Sequence, residues 1–211
     1  MNYNNMIKSL NKENEYGNLP LLRGLKMIHY RFKLFSLIVL FTLLLTSCSN
    51  LDIQTLNLKA KQLIDSGDID GAIGRLESIN DLNPAFPQTH YNLGIAYYKK
   101  GEFDKAVKSL NEAVRLDPKL GDAYYSLGVI YEDLALTDIE KASKDNKIEN
   151  LEVVNKILEN LKYSQESYKK YLNLTQNPSE TEDIKIKLEN INNDINKYQS
   201  ILIEKYDPNQ E

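Results

Sequence analysis

The chain has 211 residues, enough for one domain or two small ones, with 26 basic and 30 acidic residues, one cysteine, two histidines and no tryptophan. Six of the basic and two of the acidic residues precede position 49, which leaves 20 basic against 28 acidic residues, a net charge of −8, in the remainder. Such a body repels a phosphate backbone, so nucleic acid is not an expected partner. Cys48 alone excludes an intramolecular disulfide or a thiolate cluster, and His29 and His90 are too few for a histidine zinc site.

In chain order, residues 1–26 are polar and without periodicity, and the expected translation start is Met27. His29, Arg31 and Lys33 then precede twelve residues, Leu34 to Leu45, of which only Ser36 and Thr42 are polar. A spanning helix needs roughly 20 apolar residues, so this run has the length of a signal-peptide core, and 27–47 reads as a signal peptide. Cys48 after it has three candidate roles: a structural thiol, a nucleophile or a lipid attachment point. The ending Leu45-Thr46-Ser47-Cys48 resembles the lipobox of bacterial lipoproteins. The resemblance implies diacylglyceryl transfer to the Cys48 sulfur, cleavage before it, acylation of the new terminus and a lipidated linker over 48–52. Buried lipid contributes about 0.8 kcal/mol per methylene, and stable anchoring takes more than one chain. An uncleaved anchor, or a core helix with a chance cysteine, is the alternative.

Past the cysteine the sequence repeats with a period of 34 residues. In 87–120, Leu93-Gly94, Tyr97, Gly101, Ala106, Leu110, Ala113 and Pro118 fall at the spacings of a tetratricopeptide repeat (TPR). Small residues suit the closest approach of two helices, Gly101 suits a left-handed helix exit, and Pro118 ends the second helix. One period upstream, 53–86 places Leu56, Ala60, Leu63, Gly67, Ala72, Leu76 and Pro84 at the corresponding sites. Downstream, 121–178 opens with Tyr124, Leu127-Gly128 and Tyr131 but carries Glu140 where alanine is expected. Ser164, Tyr168 and Tyr171-Leu172 resume the pattern 24 residues late. The intervening stretch, near 135–160, has a helical period through Ile148, Leu151, Val154, Leu158 and Leu161, with "SKDNK" at 143–147 as its turn. It predicts a third repeat with both helices lengthened into a projecting hairpin; a disordered insertion is the alternative.

Residues 179–206 open with a capping box, Ser179 and Glu182. Ile184, Leu188, Ile191, Ile195, Tyr198 and Leu202 then form a seam. A coiled-coil partner explains that seam, and so does a terminal helix capping the repeats. The fold expected is therefore all-α: a TPR-type helical hairpin solenoid of about three repeats with a C-terminal capping helix, after a lipoprotein signal peptide.

The resemblance implies a concave groove lined by repeat positions 2, 5, 6, 9, 12 and 13 of each first helix. In the second repeat these are Gln88, Tyr91, Asn92, Ile95, Tyr98 and Lys99; in the third, Asp122, Tyr125, Ser126, Val129, Glu132 and Asp133. Some family members clamp a peptide carboxylate with Lys and Asn here. Asn92 and Lys99 match in part, but Asp133 stands where a cation is needed, so the expected ligand is a basic or apolar protein segment. Tyr97, Tyr124 and Tyr131 are assigned to the core, with Tyr91, Tyr98 and Tyr125 facing the ligand or the core. No nucleophile–base pair, cofactor motif or small-molecule site stands out: His90 lacks a partnered Ser or Cys, and Glu132-Asp133 suits a solvated helix face. The chain is similar in plan to TPR lipoproteins that serve as accessory subunits of outer-membrane assembly machines, as secretin pilotins or as adaptors for envelope enzymes. That implies a non-enzymatic scaffold facing the periplasm or exterior, with Ser49 favouring the outer membrane. A self-associating structural lipoprotein, joined through the 184–202 seam, is the alternative.

Overall fold

The structure is a computed structural model describing residues 31, 33–39, 52–145, 150–175 and 178–206, with the side chains of the last helix described over 181–205. Cys48, residues 1–26 and most of the 27–47 segment lie outside the described residues. The chain divides into two compact units, Met1–Gln54 and Thr55–Glu211. In the first, 33–39 is helical and leaves Leu34, Phe35, Leu37, Ile38 and Val39 exposed. Among the described residues no helix is long and apolar enough to cross a membrane.

The second unit is all-helical in its described residues. The helix over 52–66 crosses the division, and α1 denotes its residues 55–66. After it come α2 (Ile69–Leu82), α3 (Pro87–Lys100), α4 (Phe103–Leu116), α5 (Gly121–Lys144), α6 (Leu151–Leu174) and α7 (Pro178–Tyr206). Consecutive helices from α2 to α7 pack on one another. The α2, α3 and α4 helices have 14 residues each, whereas α5 and α6 have 24.

Local chemistry sets the helix ends. The Asp68 side chain accepts from the Gly71 N–H at 3.0 Å and caps α2. Pro87 begins α3, where its missing N–H costs no intrahelical bond. Gly67 and Gly101 leave their helices at φ +89° and +82°, a left-handed turn that a side chain disfavours. At Gly101 the turn closes with Gly101 N–H donating to Tyr98 O and Glu102 N–H to Tyr97 O, both at 2.9 Å. Asn150 caps α6 by accepting from the Glu152 and Val153 N–H groups.

The core repeats one contact pattern. Ala60, Ala72 and Leu76 are fully buried in the first helix pair. In the second, a Cβ added to Gly94 would lie 2.5 Å from Leu110 Cγ and 3.3 Å from Ala106 O. In the third, a Cβ on Gly128 would lie 2.7 Å from two Tyr168 ring carbons, and Ser164 Oγ donates to Gly128 O at 2.8 Å. Gly128, Ser164 and Tyr168 thus take the places of Gly94, Ala106 and Leu110, with the 24 extra residues spent on the longer α5–α6 hairpin.

That hairpin has its own core. Ala135, Val154, Ile157, Leu158 and Leu161 cluster with Ile184, Ile191, Ile195 and Tyr198 of α7. The seam along α7 therefore packs on this chain's own α6. Along α6, Val154, Leu158 and Leu161 are buried as the period predicts, but Leu151 is exposed and Ile157 is buried. The reason is that α6 packs on both α5 and α7, so its buried stripe is wider than one apolar row. Ile148 and the Ser179 side chain of the expected capping box lie outside the described residues.

Candidate functional site

Four helices, α1, α3, α5 and α7, are linked side by side through polar bonds. Between α1 and α3, Asn57 Nδ2 donates to Thr89 Oγ1 at 2.9 Å and Asn92 Nδ2 donates to Asn57 Oδ1 at 3.1 Å. Between α3 and α5, the Tyr98 hydroxyl donates to Asp133 Oδ2 at 2.5 Å. Between α5 and α7, Lys187 Nζ donates to Glu132 Oε2 at 2.9 Å. The α5 residues of these bonds are among those that the repeat spacing assigns to the groove.

Position by position, the groove residues differ in what they can offer. Asn92 is 3 % exposed, and its amide is consumed by Asn57 and by Gln88, whose Nε2 donates to Asn92 Oδ1 at 3.1 Å. It holds α3 to α1. Ser126 is nearly buried and donates to Asp122 O within its own helix. Ile95 and Val129 are half-buried and Lys99 is exposed. Tyr91 and Tyr98 are half-buried and Tyr125 is 39 % exposed, so all three present ring surface.

Electrostatics follow from these contacts. The hydrogen bond to Asp133, then burial, pushes the Tyr98 phenol up from its ordinary 10 to about 12. Burial, then Asp122, raises Tyr91. Tyr168 is fully buried, and burial followed by its 2.7 Å bond to Glu132 raises it much further, so its proton stays in place. Glu132 thus accepts from both Tyr168 and Lys187, and Asp133 from Tyr98. The carboxylates of Asp122 and Asp183 meet no cation among the described residues.

The sequence did not point to the far wall. Tyr125, Tyr171, Asp183, Ile184 and Lys187 surround a cavity of about 480 Å³ where α5, α6 and α7 meet. Tyr125 packs edge-on to Tyr168 at 6.0 Å and against Tyr171 at 5.4 Å between centroids. Asn57 was also missed, although the same position rule applied to 53–86 selects it; α7 has no repeat register from which its wall residues follow. Of the tyrosines assigned to the core, Tyr97 is buried and donates to Glu77 Oε1 at 2.6 Å. Tyr124 and Tyr131 are only half-buried and line a second cleft with Tyr163, whose ring stands 5.0 Å from that of Tyr131. Among the described residues no group of three His, Cys, Asp or Glu side chains gathers as a metal site.

Paired antiparallel helices with a shared contact pattern, joined along one face, define a helical-repeat protein with a groove. Over residues 60–134 they are tetratricopeptide repeats: the TPR repeat family model matches 60–101 and 96–134. Among solved structures, the chain is similar to the first TPR domain of Spaghetti (RPAP3) bound to the HSP90 peptide SRMEEVD, at 20 % identity and a TM-score of 0.50, covering 67 % of this chain and 90 % of that one. It is similar also to the first TPR domain of human RPAP3, at 19 % identity and a TM-score of 0.51, covering 70 % and 95 %. At such identity these likenesses show the fold. No curated protein matches the sequence.

Proposed function

We propose that the protein is a non-enzymatic scaffold that holds a basic or apolar segment of another protein in the groove formed by α1, α3, α5 and α7. The observation that carries this reading is the alignment of Tyr91, Tyr98 and Tyr125 along one face whose uncommitted charge at the α5–α7 end is acidic. Rigid aromatic side chains provide large contact area at low entropic cost and dominate binding hot spots. The Spaghetti domain holds an HSP90 peptide rich in acidic residues. This chain places Asp122 and Asp133 on α5, so the same kind of groove favours the opposite charge.

In this reading the scaffold is tethered to a bacterial membrane, the outer rather than the inner, through lipid on Cys48 and faces the periplasm or cell surface. Support comes from Leu45-Thr46-Ser47-Cys48 and the apolar run before it. The role that fits is an accessory or adaptor subunit of an envelope assembly complex. Self-association through the 184–202 seam is disfavoured, because Ile184, Ile191, Ile195 and Tyr198 are buried in the chain itself. Two experiments test the reading. Cys48→Ala should leave an unprocessed precursor without incorporated fatty acid; processing and acylation that persist would refute the anchor. Joint substitution of Tyr91 and Tyr125 by serine should abolish recovery of the partner protein from cross-linked cells while leaving helicity intact. Undiminished recovery would refute the groove.

A further inference from the structure

The cavity at the α5–α7 end of the groove has a chemistry more specific than the groove as a whole. Tyr125, Tyr171, Asp183, Ile184 and Lys187 line it. Gly121 at the start of α5 approaches Tyr171: an added Cβ there would sit 3.6 Å from its ring. The one cation in the lining, Lys187, is turned to Glu132 at 2.9 Å and stands 5.7 Å over the Tyr168 ring, so its charge is already matched. Tyr98 likewise occupies Asp133. Among the described residues, what the lining leaves without a cation is one carboxylate, Asp183, beside Tyr125, Tyr171 and Ile184.

From this juxtaposition we infer that the cavity is a pocket for an arginine side chain of the bound segment. The inference rests on the groove reading and names the residue that the groove selects. A guanidinium is flat, weakly hydrated and forked: it lies against a tyrosine face while donating two hydrogen bonds to a carboxylate. Its aliphatic stem suits contact with Ile184. A lysine ammonium supplies the charge but not the flat face or the fork, so arginine is preferred over lysine. A carboxylate ligand is repelled by Asp183. The pocket exists only because Tyr171, displaced along the chain by the longer hairpin, and α7 come together at the third repeat; the Ala113 site of the second repeat, which corresponds to Tyr171, has no ring.

The test uses the full chain in detergent and three small probes: N-acetyl-arginine N-methylamide, its neutral citrulline analogue and the lysine counterpart, each titrated by NMR. The arginine amide is expected to give saturable shifts at the Tyr125 ring and at the amides of 183–187. The lysine amide should bind at least threefold more weakly, and the citrulline amide should give no saturable shift. Asp183→Asn, a change at an exposed residue, should weaken the arginine response at least threefold. Equal responses to arginine and citrulline, or shifts confined to other surfaces, would overturn the pocket. Protein segments that cross-link at positions 91 and 98 while the arginine amide leaves Tyr125 unmoved would also overturn it, yet leave the groove reading standing. An arginine response at Tyr125 with no protein captured along the groove would support the pocket and defeat the groove.

Discussion

Gly128→Ala tests the packing that builds the groove's back wall. The added Cβ would lie 2.7 Å from Tyr168 Cδ1 and Cε1 and 3.0 Å from Cγ. Comfortable carbon contacts are roughly 3.5–4.0 Å, so the ring must retreat by close to an ångström. It has little room, because Tyr168 is fully buried, donates to Glu132 at 2.7 Å and packs edge-on with Tyr125. Overpacking of this kind costs about 1–3 kcal/mol, offset by about 0.5–1 kcal/mol from replacing a mid-helix glycine. The net expectation is a loss of about 1–2 kcal/mol, read as a urea midpoint about 0.5–1 M lower by circular dichroism at 222 nm. Gly74→Ala is the matched control: nothing lies within 4 Å of its added Cβ in α2. It should stabilise by about 0.5–1 kcal/mol. If Gly128→Ala proves as stable as the parent, the close approach of α5 and α6 described here is wrong.

Ile191 is 2 % exposed in the α6–α7 core whereas Ile186 is exposed. Ile191→Ala should cost about 2–4 kcal/mol and Ile186→Ala less than about 0.5 kcal/mol, with amide exchange of α7 accelerated only in the former. Asn57→Ala removes both an acceptor for Asn92 and a donor to Thr89 in a buried site; unfolding by urea should show a loss of about 1–3 kcal/mol. Tyr97 and Tyr98 both rise from 10 to about 12 in the folded chain. The unfolded phenols lose their protons first, so this contribution to stability is complete below pH 10 and disappears as pH rises from 10 to about 12. Absorbance at 295 nm should show late-titrating phenols in that window, and Tyr98→Phe should remove one of them.

The 34-residue period was legible because it is written in residues whose size matters at helix crossings: Ala60, Gly94, Ala106 and Gly128 leave no space for larger side chains. Even the 24-residue displacement could be read, since Ser164 and Tyr168 keep the spacing of Ala106 and Leu110. What the sequence hid lies where helices meet without a period. Asn92 fits a ligand-facing position, but neighbouring α1 supplies Asn57 and turns it into a structural bond. The route by which α7 brings Asp183 and Lys187 to Tyr125 depends on the lengthened hairpin, which no repeat rule describes. Ile157 was missed for a related reason, because α6 is covered by two helices and not one.

The central claim is that the face running across α3 and α5 holds a protein segment. Photocrosslinking amino acids placed one at a time at positions 91, 98 and 125 of the chain expressed in its own cells test it most directly, with 151 at the exposed start of α6 and 163 at the second cleft as references. The account predicts one shared crosslinked species from 91, 98 and 125 that is absent from 151 and 163. Identical patterns at all five positions, or a species confined to 151 or 163, would contradict it.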